Sequence, residues 1–275
     1  MTKTIGLSLG GGGAKGLAHI AVLETLDEMG IQVKAISGTS IGAIIGTIYA
    51  SGLSGRDIRL AVDTLLEVPM SFREAWTAKR PFGWLELLNL DLARSHLFNV
   101  DPLVDEIRHL IAVQRIEDLG IPMQIVAADF WERSEVVFDS GPIIPAIQAS
   151  FCLPGIFEPI TINDTVLVDG GCVNPIPFDL IRDQCDIVIA VDVLGKRVPE
   201  GHALPTFSDA LFNTFQIAEK SIAVGKMKTH PPDIYIEPDI IDVKVMEFQK
   251  AEQIYTETQP ECIRLKVELE KLLGE

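Results

Sequence analysis

Val33-Lys34-Ala35-Ile36-Ser37-Gly38-Thr39-Ser40-Ile41-Gly42-Ala43-Ile44-Ile45-Gly46-Thr47-Ile48-Tyr49-Ala50 passes from a short apolar strand, through a turn of small residues, into a helix too apolar to lie anywhere but against a core. At its centre Gly38-Thr39-Ser40-Ile41-Gly42 fits G-x-S-x-G, in the strand–turn–helix context that gives that pattern its meaning. Outward from it, Thr4 to Leu9 reads as a buried strand, Gly10 to Gly16 as a glycine-rich turn, and Leu17 to Met29 as a helix ended by Gly30. The result is a βαβα start, and such a start implies an α/β fold with a mainly parallel sheet.

Further along, Met123 to Asp129, Glu135 to Phe138, Val166 to Asp169, Asp186 to Val193 and Asp233 to Glu237 are expected as strands. Helices are expected near Pro102 to Val113, Pro177 to Gln184, Phe207 to Thr229 and Phe248 to Leu273. Residues 69–99 are less regular and rich in large apolar side chains, Trp76 and Trp84 among them. Two readings stand for them, a cap or lid over a pocket and an ordinary helical excursion. Otherwise 1–275 is read as a single domain.

Composition narrows the partners. The 39 acidic against 23 basic residues leave a net charge of −16, which repels phosphate backbones and argues against nucleic acid. The same charge disfavours docking to anionic lipid head groups, so membrane contact is expected only as peripheral contact with neutral or zwitterionic surfaces. Ala35 to Gly55 carries no charge, but its glycines fit a strand, a turn and a buried helix better than a membrane span. Cys152, Cys172, Cys185 and Cys262 show neither CxxC pairing nor a metal-ligand rhythm and are read as buried free thiols, consistent with a reducing cytoplasm. No targeting peptide is read at the N-terminus.

Three elements carry chemistry. A serine on so sharp a turn lifts its hydroxyl above the sheet edge, and the small neighbours Gly38 and Gly42 let strand and helix pass close to it. Gly10-Gly11-Gly12-Gly13-Ala14-Lys15-Gly16 opens the first helix, where backbone N–H groups face an anion. It fails as a P-loop because Lys15 is not in G-K-S/T. As a dinucleotide turn it lacks an acidic residue near the end of the second strand. Amides of Gly11, Gly12 and Gly13 forming an oxyanion hole for attack by Ser40 is the remaining chemical reading, beside a turn serving packing alone. Asp169 ends an apolar strand, and Gly170 and Gly171 let it turn toward a pocket, either as a catalytic carboxylate or as a cap of its own turn. Of the five histidines none follows a core strand as a triad histidine usually does, and His19 lies nearest the glycine loop.

Together and in this order, these elements resemble the patatin-like phospholipase family. The resemblance runs from about Ile5 to Asp192 and includes Ala149-Ser150-Phe151-Cys152-Leu153-Pro154-Gly155-Ile156-Phe157-Glu158-Pro159. It implies a three-layer α/β/α fold and a lipid acyl hydrolase of phospholipase A or lysophospholipase type, working through a Ser-Asp dyad and an acyl-enzyme without metal or cofactor. Ser40 is then the nucleophile, Asp169 the base, Gly11 to Gly13 the oxyanion donors, and Lys15, Gly38, Gly42, Gly170 and Gly171 support them, with the 149–159 block packed beside the dyad. Lys15 stands where most members have arginine, which keeps the charge but loses the planar fork. An acyltransferase using the same serine, or an idle lipid-binding protein of the same fold, are the alternatives. A lipid or other acyl ester is the expected substrate, and a desolvated Asp169 is the expected answer to how a carboxylate takes a serine proton.

Overall fold

The computed structural model describes residues 3–67, 101–196 and 204–274. The proposed cap, 69–99, with Trp76 and Trp84, lies outside the described residues. β1 (Ile5–Leu9), α1 (Ala18–Glu28), β2 (Val33–Thr39), α2 (Ile41–Ala50), α3 (Gly55–Glu67) and α4 (Asp101–Leu110) lead into β3 (Met123–Asp129), β4 (Ser134–Phe138) and α5 (Ile143–Phe151). They are followed by β5 (Ile160–Ile162), β6 (Thr165–Asp169), β7 (Ile187–Val191), α6 (Phe207–Met227), β8 (Ile234–Ile236) and α7 (Ala251–Leu273). Among the described residues the strands form one sheet in the order β5-β6-β3-β2-β1-β7-β8, with β4 also paired to β3.

The five strands β3, β2, β1, β7 and β8 pair in parallel, and β4, β5 and β6 are added antiparallel. The sheet is therefore mixed around a parallel centre. Its central strands are buried on both faces, as helices on either side require. In β7, Ile187, Ile189 and Val191 join the large core with α1, α2, α5 and α7, whereas Val188 and Ala190 pack with Phe178, Ile181 and Ala223 on the other side. Alternation along one strand thus feeds two cores and produces the α/β/α layering.

One edge of β3 brings the ends of β2 and β6, and with them Ser40 and Asp169, together. Val126 pairs with Thr39 of β2, and the next residue, Ala127, pairs with Asp169 of β6. The opposite edge of β3 is occupied by β4. β2 and β6 therefore approach head to head along one edge, and their C-terminal ends meet.

Four elements depart from the expected pattern. α3 begins with a reciprocal cap, Asp57 N–H donating to Ser54 Oγ and the Ser54 hydroxyl to the Asp57 carboxylate at 2.6 Å. α5 contains Pro145 in its first turn, where a missing N–H breaks no helical hydrogen bond. β5 joins β6 through Asn163 and Asp164, both at positive φ. The segment expected as a helix from Pro177 is a 3-10 run, Phe178–Gln184, with Ser37 Oγ donating to the Pro177 carbonyl at its start. Cys152, Cys185 and Cys262 are buried free thiols, but Cys172 is exposed, its Sγ hydrogen-bonded to the Asp169 carbonyl in the turn after β6. Among the described residues no helix is long and apolar enough to cross a membrane.

Candidate active site

Ser40 caps the N-terminus of α2 with φ 56° and ψ −125°. This left-handed conformation costs a non-glycine residue on the order of 1–3 kcal/mol, so the surroundings must impose it. They do so from both sides. The Ser40 N–H donates to Ser150 Oγ at 2.8 Å, and its carbonyl accepts from the N–H groups of Ala43 and Ile44 in the first turn of α2. A Cβ on Gly42 would fall 2.1 Å from the Leu9 carbonyl oxygen, so only glycine lets α2 start this close to β1.

The side chain lifted out by that turn meets Asp169. Ser40 Oγ donates to Asp169 Oδ2 at 2.6 Å, while Asp169 Oδ1 accepts from the Gly171 N–H at 2.7 Å. The Asp169 N–H donates to the Cys152 carbonyl, which ties the carboxylate to the 149–159 block. Asp169 is only 2% exposed. Burial raises its pKa from 3.8 to about 6, against the opposing pull of the hydrogen bonds from Ser40 and Gly171. At neutral pH the group is ionised and is a stronger base than a solvated carboxylate.

The glycine loop lies across from Ser40, its backbone fixed residue by residue. Gly10 N–H donates to Val191 O at 2.9 Å, Gly11 N–H to Pro175 O at 3.0 Å, and Ala14 N–H to Val245 O at 2.8 Å. Gly11 is therefore not an available donor, contrary to expectation, because its amide completes the packing of the loop against the turn after β6. The N–H groups of Gly12 and Gly13 donate to no protein acceptor among the described residues. Gly13 has φ 60°, and a Cβ there would fall 2.4 Å from the Val245 carbonyl oxygen, so a side chain is excluded on two counts. Lys15, 2% exposed, runs its stem past Gly195.

His19, on α1, contacts this loop and not the Ser40–Asp169 pair. Its Nε2 is 2.8 Å from the Gly10 carbonyl, so the tautomer that donates there supports the loop from below. Complete burial lowers its pKa to about 4 and keeps the ring neutral. His109 and His230 are exposed, and His96 and His202 lie outside the described residues. The structure thus brings Ser40, Asp169, Gly170, Gly171, Gly12, Gly13 and Gly38 to one end of the sheet. Two residues not singled out individually from the sequence join them, Ser150 through the Ser40 amide and Glu219 from α6.

A model described as patatin-like phospholipase matches residues 7–181. An uncharacterized NTE family protein of Mycobacterium tuberculosis is 31% identical over 194 residues, which are 70% of this chain and 50% of the relative. Lysophospholipase NTE1 of Kluyveromyces lactis is 30% identical over 276 residues, 92% of this chain and 18% of that protein. Among solved structures, VipD from Legionella pneumophila superposes with a TM-score of 0.49 at 15% identity, over 96% of this chain and 67% of VipD. The chain spans half or less of the length of these two curated relatives.

Proposed function

We propose that this chain, which belongs to the patatin-like phospholipase family, is a serine lipid acyl hydrolase that cleaves the carboxylic ester of a fatty acid in a phospholipid or lysophospholipid. The observation that carries the reading is the 2.6 Å hydrogen bond from Ser40 Oγ to a buried carboxylate, in a site where the glycine loop packs on Ser40 through Gly11 and leaves the Gly12 and Gly13 amides without a protein acceptor among the described residues. As Oγ attacks the ester carbonyl, Asp169 Oδ2 takes its proton, so no free alkoxide accumulates. The negative charge moves to the carbonyl oxygen, where the Gly12 and Gly13 N–H groups receive it. Collapse of the tetrahedral species expels the alcohol, which leaves with the proton returned by Asp169, and the acyl group stays on Ser40. Water then attacks the acyl-enzyme, Asp169 again taking the proton, and the fatty acid departs as Ser40 recovers its hydrogen. No step calls for a metal or cofactor.

Contact with a lipid surface has separate support. The turn after β3 carries Phe130 and Trp131, 48% and 72% exposed, with rings edge to face at 4.8 Å. Asp129 Oδ1 accepts from the N–H groups of Trp131 and Glu132, and Phe130 N–H donates to the Val166 carbonyl, so the tip is braced. Phe130 lies three residues beyond Ala127, the partner of Asp169, which at about 3.3 Å per residue puts the tip roughly 10 Å past the dyad on its own end of the sheet. Aromatic side chains at an edge suit the interfacial region of a bilayer, and the net charge of −16 favours zwitterionic over anionic lipid.

The test is release of free fatty acid from lysophosphatidylcholine in buffer with no acyl acceptor added. The wild type is expected to release it and Ser40→Ala to release none. Turnover only when an alcohol acceptor is present would make the chain an acyltransferase, and equal release by both proteins would overturn the mechanism.

A further inference from the structure

α6 brings a second carboxyl, beside that of Asp169, to the candidate site. Glu219 is 4% exposed, and its side chain makes no hydrogen bond to a protein group among the described residues. Its position is fixed by the two glycine turns that flank the dyad. A methyl group on Gly171 would lie 2.2 Å from Glu219 Oε1 and 3.1 Å from Asp169 Oδ1. One on Gly11 would lie 3.4 Å from Ser40 Cβ and 3.6 Å from Glu219 Oε1. The Glu219 carboxyl and Ser40 thus border the same bare Cα of Gly11, whose own amide is taken by the Pro175 carbonyl. Facing the carboxyl are Asp169 at the end of β6, Cys172 from the turn after it, Asp192 beyond β7 and Lys15 from the glycine loop. Lys220, its neighbour on the helix, is bound to Asp192 and Glu237.

We propose that Glu219, in its neutral acid form, donates a hydrogen bond to the oxyanion formed when Ser40 attacks, completing the donor set begun by Gly12 and Gly13, and that loss of its proton switches the site off. This rests on Ser40 being the nucleophile. Burial, reinforced by the negative charge of Asp169 and Asp192 and opposed by Lys15, holds the carboxyl well above the usual carboxylate range. A carboxylic acid kept neutral by its surroundings is an effective oxyanion donor, as ketosteroid isomerase illustrates. Once ionised, the same group places a negative charge where charge must develop and presents no proton.

The experiment is the dependence of kcat on pH for a soluble short-chain ester, which needs no lipid surface, in wild type, Glu219→Gln, Glu219→Leu and Ser40→Ala. Wild-type kcat is expected to fall on the acid side as Asp169 protonates and again on the alkaline side as Glu219 ionises. Glutamine keeps a donor of the same shape but cannot ionise, so Glu219→Gln should hold kcat within about tenfold of wild type and lose the alkaline fall. Glu219→Leu should lose about 10²–10³-fold in kcat with KM little changed, the loss typical of a missing oxyanion donor. An alkaline fall that persists in Glu219→Gln, a wild type that shows none, or full kcat in Glu219→Leu overturns the proposal. Hydrolysis by Ser40→Ala would instead overturn the underlying assignment of the nucleophile.

Discussion

Replacing Asp169 by asparagine should kill the enzyme and strengthen the fold at the same time. The carboxylate is fully buried, and its pKa is raised from 3.8 to about 6. At 1.36 kcal/mol per tenfold, holding it ionised costs the folded state about 3 kcal/mol. The sign follows from the direction of the shift. Below pH 3.8 the group is protonated in both folded and unfolded chains and there is no penalty. The penalty grows between 3.8 and 6 and is fully present above about 6. Asparagine carries no charge, can still accept from the Gly171 N–H, and presents its amide N–H to Ser40 Oγ. Asp169→Asn is therefore expected to be about 1–3 kcal/mol more stable than wild type at pH 8, the gain shrinking toward zero at pH 4. Urea denaturation at a series of pH values reads this directly. The amide cannot take the Ser40 proton, so kcat should fall by about 10²–10⁴-fold, while wild-type kcat should decline on acidification with an apparent pKa of about 6. A variant that is less stable than wild type at pH 8, or that keeps most of its activity, would refute the claim that Asp169 is a desolvated base.

Two further outcomes follow from the site. Ser150→Ala removes the acceptor of the Ser40 N–H inside a strained turn, and should cost about 1–3 kcal/mol of stability in urea titration together with a measurable loss in kcat; unchanged values for both would show that the turn holds itself. Phe130→Ala combined with Trp131→Ala should weaken binding to phosphatidylcholine vesicles and hydrolysis of lipid presented in them by at least tenfold, with turnover of a soluble short-chain ester unaltered; equal losses on both substrates would mean the pair supports the site and not a surface.

The parts of the site legible in the sequence are those encoded locally. Ser40, its flanking glycines, the glycine loop and Asp169 each lie at a strand end followed by small residues, a pattern that reads without knowledge of the partner strands. The pairing of Thr39 and Asp169 with consecutive residues of β3 is a tertiary fact, and no local pattern announces it. Glu219 was illegible for a related reason, since an acidic residue within a helix looks like any solvated face until α6 is packed against the turn after β6. The Gly11 amide shows the opposite limit, because a glycine run suggests free donors, and only the fold reveals that Pro175 takes one of them. Two further signals are local. Ser54-x-x-Asp57 announces the start of α3, and Asn163-Asp164 between two β-branched runs announces the β5–β6 hairpin.

Covalent labelling with a fluorophosphonate tests the central claim most directly, because the reagent reports which hydroxyl the protein has made nucleophilic. Peptide mass spectrometry is expected to place a single adduct on Ser40, with labelling abolished in Ser40→Ala, sharply slowed in Asp169→Asn, and matched one-for-one by loss of lysophospholipid hydrolysis. An adduct on another serine, or hydrolysis that survives full modification of Ser40, would contradict the account.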